Sequence, residues 1–160
     1  GAQKMGTFHL LGELQPGKPV GIAEGYATGA SAHRATGMTV AIALDTSNLT
    51  AVALALRQQD PDRPLNMLAD NDHHLPLRDP PRRNVGMEKA EAAATVVGAK
   101  VLLAPEAPQR AIIGKGTDWN DYEAIYGRET IKATLQIQMT ETAAPRQGET
   151  QRAASQSAGA

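Results

Sequence analysis

Short apolar runs alternate along this chain with longer stretches of helical periodicity. Four of the runs have the length and residue types of buried strands, and each is closely followed by proline or an acidic residue. These four runs cover residues 20–23, 39–44, 65–69 and 100–103. Residues 8–11 form a further apolar stretch that suits a strand at the edge of a sheet.

In the segments between these runs, apolar residues recur every three or four positions, which predicts helices. This spacing is found at Leu49, Val52, Ala53 and Leu56, and again at Met87, Ala90, Ala94 and Val97. A third helix is expected over residues 27–36, and Gly37 and Gly98 are natural helix ends. Strands that alternate with helices imply crossover connections. We therefore predict an α/β fold with a mostly parallel sheet of about four strands and helices on both faces.

Two segments break this alternation. Residues 73–84 are rich in proline and arginine, which predicts a loop. From residue 143 onward Ala, Gln, Ser, Gly and Thr dominate, with no periodic apolar face that would offset the entropy of ordering. We predict one folded domain over residues 1–142 and a disordered tail or linker over residues 143–160.

The composition indicates a core of aliphatic side chains. Hydrophobic residues make up 41% of the 160 residues and aromatic residues only 3%, which suits a parallel sheet covered by alanine-rich helices. A chain of this length can bury a sizeable core as one domain. Because it contains no cysteine, disulfides and thiolate metal sites are excluded.

The charge balance bears on the partners of the protein. The chain has 16 Lys and Arg against 17 Asp and Glu, a formal net charge of −1, whereas a domain that grips nucleic acid by its own charge is usually much more basic. Other domains or a bound metal would then supply much of the attraction. No apolar run approaches the ~20 residues needed to cross a bilayer, and the N-terminus has neither a secretory signal nor a starting Met. We expect a piece of a longer cytoplasmic protein.

Acidic residues follow three of the predicted strands. Glu24, Asp45 and Asp70 come directly after them, and Asp72 lies two residues beyond Asp70. The carboxyl ends of parallel strands meet at one edge of a sheet, where ligands bind. Carboxylates crowded there repel one another unless a cation lies between them, and an all-oxygen ligand set suits Mg²⁺. Taken singly each acid is an ordinary turn or cap residue, and we assign that role to Asp45. The combination of Glu24 with Asp70 and Asp72 favours a metal site.

The order of these motifs resembles that of the Toprim domain, which is shared by bacterial-type DNA primases, topoisomerases and some nucleases. The likeness is greater to plasmid-transfer and phage-type primases and extends from about Lys4 to about Gly127. The segments that carry it are residues 4–12 (KMGTFHLLG), 23–26 (AEGY), 70–72 (DND), 84–90 (NVGMEKA) and 118–122 (DWNDY). The loop that follows Asp72 is longer than the family pattern.

The resemblance implies a catalytic module of a DNA primase, in which Asp70 and Asp72 hold Mg²⁺ and Glu24 is a metal ligand or general acid/base. Mn²⁺ would substitute for Mg²⁺. The implied partners are a single-stranded DNA template, nucleoside triphosphates, other domains of the same polypeptide and a helicase. The implied setting is plasmid or phage replication or transfer, without contact to a membrane.

Other polar residues have competing interpretations. Asp118 and Asp121 are candidates to complete the acidic cluster, with Asp121 as a further metal ligand, whereas Asp118 also suits a helix N-cap. Arg82, Arg83 and Lys89 are candidates for binding nucleotide or nucleic-acid phosphates, against a solvated loop and helix face. The adjacent His73 and His74 are candidate metal ligands as well, but such a pair on a proline-rich loop is more often simply solvated.

Three rival functions remain open at this stage. A Toprim nuclease would use the same acids to activate water instead of a 3′-hydroxyl. A non-catalytic nucleic-acid or nucleotide-binding module in a larger mobile-element protein would lack the chemistry altogether. A phospho-receiver domain also gathers acids at strand ends, but it needs a lysine after a later strand, and Lys115 in its glycine-flanked loop is a poor candidate.

Overall fold

A twisted sheet of five strands forms the centre of the computed structural model, which describes residues 5–72, 80–105 and 118–141. The strands are β1 (His9–Leu11), β2 (Val20–Ala23), β3 (Thr39–Ile42), β4 (Leu65–Ala69) and β5 (Lys100–Leu103). Their spatial order is β1-β3-β2-β4-β5, with β1 antiparallel to β3 and all other neighbours parallel. The mostly parallel α/β sheet is therefore confirmed, and the stretch at residues 8–11 supplies the antiparallel edge strand.

Five α-helices in the described ranges cover both faces of this sheet. They are α1 (Tyr26–Thr36), α2 (Leu49–Gln59), α3 (Val85–Val97), α4 (Trp119–Tyr126) and α5 (Arg128–Thr140), with a short 3₁₀ turn at Thr46–Asn48 before α2. Helices α2 and α3 pack on one face and α1, α4 and α5 on the other. None of the helices in these ranges has both the length and the apolar character to cross a membrane.

Alternating side chains of the strands divide the core into two layers. Ile22 and Met67 face α2 and α3, while Ile42, Leu68 and Leu102 face α1, α4 and α5. All five side chains are buried, and burying a side chain of this size contributes about 1.5–3 kcal/mol. The small aromatic content is concentrated in the second layer, where Trp119 is fully buried.

Helix α1 lies unusually close to the sheet because of one glycine. A Cβ atom added at Gly29 would lie 2.2 Å from Cδ1 of Ile42, so no larger residue fits without displacing a buried side chain. The close approach brings the first turn of α1 over the carboxyl ends of β2 and β4, where the acidic residues lie.

Strand β3 is two residues shorter than the sequence predicts. Leu44 has a φ of +65°, a left-handed conformation that ends the extended backbone. The predictions for residues 73–79 and 143–160, which include His73, His74 and the tail, lie outside the described residues.

Candidate metal centre

Glu24 and Asp70 are brought to the same edge of the sheet by the pairing of β2 with β4. The two strands are parallel, with Ala23 opposite Leu68, so the residues that follow them emerge side by side. Glu24 and Asp70 both line one small and mostly apolar cleft, together with Gly86 in the first turn of α3. The predicted convergence of these two acids at one site is therefore found in the fold.

Asp70 is held in an environment that opposes its ionisation. Burial, followed by the negative charges of Asp118, Glu24 and Asp72, raises the pKa of the Asp70 carboxyl to about 7. A hydrogen bond from Thr28 Oγ1 to Asp70 Oδ1, 3.2 Å long, opposes part of this rise. A carboxyl group that is destabilised by like charges is one that a cation would stabilise.

The acid that approaches from the far end of the sequence is Asp118. Its carboxylate accepts a hydrogen bond of 2.7 Å from the Asp121 backbone N–H and so caps α4, and its charge acts on Asp70. The next residue, Trp119, fixes this position because its buried indole donates to the Leu102 carbonyl oxygen at 3.3 Å. The N-cap role of Asp118 is confirmed. A ligand role for Asp121 stays a prediction.

The segment 70–72 directs its two acids and its amide in opposite directions. Asn71 is buried, and its side-chain amide donates to the Ala104 carbonyl oxygen beyond β5 at 3.3 Å. Asp70 and Asp72 are only partly buried on either side of it, as expected for alternating positions of an extended segment. Asn71 therefore anchors the segment and leaves both carboxylates at the sheet edge.

Asp45 has the capping role that its position predicts. Its Oδ1 atom accepts hydrogen bonds of 2.7 Å from the backbone N–H and from the hydroxyl of Ser47. These bonds fix the 3₁₀ turn at Thr46–Asn48. Asp45 is accordingly engaged in holding backbone rather than free to bind a cation.

The donor set suits magnesium. The charged groups that act on Asp70 are the carboxylates of Asp118, Glu24 and Asp72. Mg²⁺ is bound in proteins through one or two carboxylates, with water and phosphate oxygens as the other ligands. Among the residues that the structure describes, no three acidic or histidine side chains lie close enough to enclose a metal ion by themselves. A magnesium ion at this edge would thus take several of its ligands from water or from a phosphate group.

Comparison with known families agrees with this geometry. Residues 19–129 match the family model described as "Toprim domain", and this range contains Glu24, Asp70, Asp72 and Asp118. The chain belongs to the Toprim family. The resemblance stated from the motifs is thereby confirmed, together with the α/β fold that it implies.

Curated relatives of this Toprim domain are much longer proteins. One protein named DNA primase TraC, from Escherichia coli, is 41% identical over 110 residues, which are 67% of this chain and 8% of the relative. A second Escherichia coli protein of the same name is 36% identical over 110 residues, 67% of this chain and 10% of the relative. The chain thus spans about a tenth of the length of these relatives. No solved structure matches it.

The basic candidates of this Toprim domain lie on the surface beside α3. Arg82, Arg83 and Lys89 are all exposed. Arg83 forms an ion pair with Glu88, its Nε atom lying 3.1 Å from the carboxylate. Contacts of these residues with phosphates stay a prediction.

Sequence reasoning missed Thr28 as a part of the site. It is buried in the first turn of α1, four residues after Glu24, and donates its hydroxyl hydrogen to Asp70. Its position after an acidic strand end places it near the metal edge, but nothing in its local sequence indicates contact with a residue 42 positions away. The candidacy of Asp118 for the acidic cluster, by contrast, agrees with the effect of its charge on Asp70.

Proposed function

We propose that this Toprim domain is the catalytic module of a DNA primase, which makes short RNA primers from nucleoside triphosphates on a single-stranded DNA template. The observation that carries the proposal is the group of carboxylates at the carboxyl ends of β2 and β4, where burial, followed by the charges of the neighbouring acids, raises the pKa of Asp70. The match to the Toprim family and the name DNA primase carried by the two relatives support the same activity.

Within this proposal Asp70 and Asp72 hold Mg²⁺, with Mn²⁺ as a substitute, and Glu24 is a further ligand or the general acid/base. The metal would polarise the phosphate and help bring the attacking 3′-hydroxyl into line. A bound cation would favour the ionised form of Asp70, because it would offset the burial and the repulsion from Asp118 and Glu24 that raise the pKa of this carboxyl. Thr28 keeps the Asp70 carboxylate oriented through its hydrogen bond.

The remaining parts of such an enzyme would lie outside this domain. The near-neutral formal charge of −1 gives little attraction for a polyanion. We infer that capture of the template is shared with other domains of the same cytoplasmic polypeptide, and that a helicase is a partner during plasmid or phage replication. Arg82, Arg83 and Lys89 would contribute contacts to nucleotide or template phosphates.

Primer synthesis by the full-length parent protein is the direct test. Asp70→Asn and Asp72→Asn remove a negative charge that the metal needs while they preserve side-chain shape, and each is expected to abolish primer synthesis. Asp45→Asn is the matched control, because Asp45 follows β3 near the same edge of the sheet but caps a turn, and asparagine is an equally good cap. Full activity in both site variants would contradict the proposal, and cleavage of the template by the wild-type protein without primer synthesis would favour a nuclease.

Metal binding can be tested separately on this chain with paramagnetic Mn²⁺. Line broadening is expected to concentrate at the amides of Glu24, Asp70 and Asp72 and to be removed by excess Mg²⁺. The Asp70→Asn variant should show weaker broadening, and Asp45→Asn the wild-type pattern. Broadening that avoids the three acids would refute their role as ligands.

A further inference from the structure

One aromatic side chain of this protein is left in solvent beside the acidic edge. The chain has five aromatic residues. Trp119 and Tyr122 are buried, Phe8 and Tyr126 are partly buried, and Tyr26 is 59% exposed. Tyr26 is the first residue of α1, where a polar residue would serve the helix equally well. An exposed aromatic ring at this position contributes little to the core and is available to a ligand.

Two further side chains join Tyr26 at this surface. The imidazole of His9 lies with its centroid 6.4 Å from that of the Tyr26 ring, at an interplanar angle of 39°. Leu44 is 70% exposed, and its backbone N–H donates to the Glu24 carbonyl oxygen at 2.9 Å. We call these three residues, His9, Tyr26 and Leu44, the aromatic shelf. The shelf adjoins the metal edge because Glu24 is two residues before Tyr26 and is hydrogen-bonded to Leu44.

Leu44 maintains its position at a conformational cost. Its φ of +65° is the left-handed region, which costs a residue with a side chain roughly 1–2 kcal/mol. The large side chain is mostly exposed, so burial in the core does not offset this cost. Strained backbone of this kind concentrates at sites that bind ligands.

The shape and the size of the aromatic shelf restrict its occupant. It consists of three side chains, whereas a stable protein partner covers about 800 Å² on each side. A flat ring that stacks on tyrosine fits a surface of this size, and stacking on an aromatic side chain accepts any base. Glu24, two residues before Tyr26, belongs with Asp70 to the edge of the proposed metal centre, where a phosphate group would be bound through the cation. A ligand with a phosphate and a flat ring on one short frame is a nucleotide unit.

We propose that the aromatic shelf stacks a nucleobase of the nucleotide or nucleic-acid strand whose phosphate lies at the metal edge. This inference rests on the proposed function, which places phosphate at the Glu24 and Asp70 edge. The base belongs either to single-stranded DNA or to a nucleoside triphosphate, and both present the same ring to Tyr26.

The test measures binding to this chain in the presence of Mg²⁺, with a short oligothymidylate in one arm and ATP in the other. Tyr26→Ala is expected to weaken at least one of the two by about tenfold, within the range measured for removal of a stacking side chain. Tyr26→Phe retains the ring and should bind within about twofold of wild type, since the hydroxyl group takes no part in stacking. Leu44→Gly should weaken binding while it raises the free energy of unfolding, because glycine adopts a positive φ without strain.

A matched control is Ile137→Ala, which removes an apolar side chain that is similarly exposed, at 56%, on α5. It should leave both affinities unchanged. Weaker binding of the oligonucleotide alone assigns the shelf to the DNA strand, and weaker binding of ATP alone assigns it to the incoming nucleotide. Wild-type affinity of Tyr26→Ala in both arms, or equal losses in Tyr26→Phe and Tyr26→Ala, would overturn the proposal.

The experiment also separates this inference from the proposed function. The parent protein could make no primer while its binding of oligonucleotide or ATP still depended on Tyr26. That result would support the aromatic shelf and contradict the proposed primase activity. Primer synthesis could depend on Asp70 while neither oligonucleotide nor ATP binding depended on Tyr26. That result would support the primase activity and contradict the aromatic shelf.

Discussion

Replacement of Asp70 by asparagine should stabilise the metal-free protein at neutral and alkaline pH. Burial and three neighbouring acids raise the pKa of Asp70 from 3.8 to about 7 in the folded state. Between these two values the folded protein retains a proton that the unfolded chain has lost, so the free energy of unfolding falls as the pH rises from about 4 to about 7. Asparagine carries no charge, and therefore the Asp70→Asn variant should not show this decrease in the free energy of unfolding.

The size of the effect follows from the shift of the pKa. A displacement of about three pH units corresponds to about 4 kcal/mol at about 1.4 kcal/mol per unit. This value is an upper limit, because Asp70 is partly exposed and water relaxes around an ionised group. Asparagine keeps an oxygen that can accept the hydrogen bond from Thr28, so the charge is the main difference between the two proteins.

Urea unfolding of this chain with a metal chelator, from pH 4.5 to pH 8.5, measures the difference. The two proteins should have similar free energies of unfolding at the acidic end, where Asp70 is protonated. Above pH 7 the Asp70→Asn variant should be more stable by about 2–4 kcal/mol. Asp45→Asn is the control and should run parallel to wild type, since Asp45 is exposed and its capping bonds survive. A constant difference between Asp70→Asn and wild type at all pH values would refute the reasoning.

Magnesium should narrow this difference in stability at pH 8. A cation that binds only the folded protein stabilises it by an amount that grows with the logarithm of its concentration above the dissociation constant. The Asp70→Asn variant would lack one of the proposed ligands. Wild type should therefore gain more stability from Mg²⁺ than the variant does. An equal gain in both proteins would show that the cation binds elsewhere.

Substitutions at Thr28 can be read by carboxyl NMR, and those at Gly29, Gly86 and Asn48 by chemical denaturation. Thr28→Val removes the hydroxyl donor at constant shape, so the pKa of Asp70, measured by carboxyl NMR, should rise further. Thr28→Ser keeps a hydroxyl and should restore the wild-type pKa, and an unchanged pKa in Thr28→Val would contradict the role of this hydrogen bond. Gly29→Ala should lower the free energy of unfolding by about 1–3 kcal/mol, because the added methyl group meets Ile42. Gly86→Ala is the control: a Cβ atom there meets nothing within 4 Å, so the substitution should leave the free energy of unfolding unchanged or raise it. Asn48→Ala should lower the free energy of unfolding by about 2–4 kcal/mol, since the buried side-chain amide forms hydrogen bonds with the backbone of Gly6, Thr7 and Ala43. A decrease of less than about 1 kcal/mol would mean that water replaces these hydrogen bonds.

The strands and most helices of this protein follow from local sequence. Residues 20–23, 65–69 and 100–103 form strands with the predicted bounds, because short aliphatic runs followed by an acid or a proline have few other ways to be buried. Helix α3 ends at Gly98 and α1 at Gly37, as predicted, and both glycines have the left-handed conformation of a helix end. The convergence of Glu24 and Asp70 was equally predictable, since the ends of parallel strands meet at one edge.

Contacts between distant segments were decided by the tertiary structure. Thr28 reaches Asp70, and Asp118 acts on it from the start of α4, because α1 and α4 pack together on one face of the sheet. The early end of β3 at Ile42 goes with the left-handed conformation of Leu44. The apolar run over residues 39–44 gives no local sign of this conformation. The local pattern determines which segments are strands or helices, because each kind of element requires its own spacing of apolar residues. The environment of one carboxyl group depends on charge and burial summed over segments far apart in the chain, and only their packing in three dimensions brings these together.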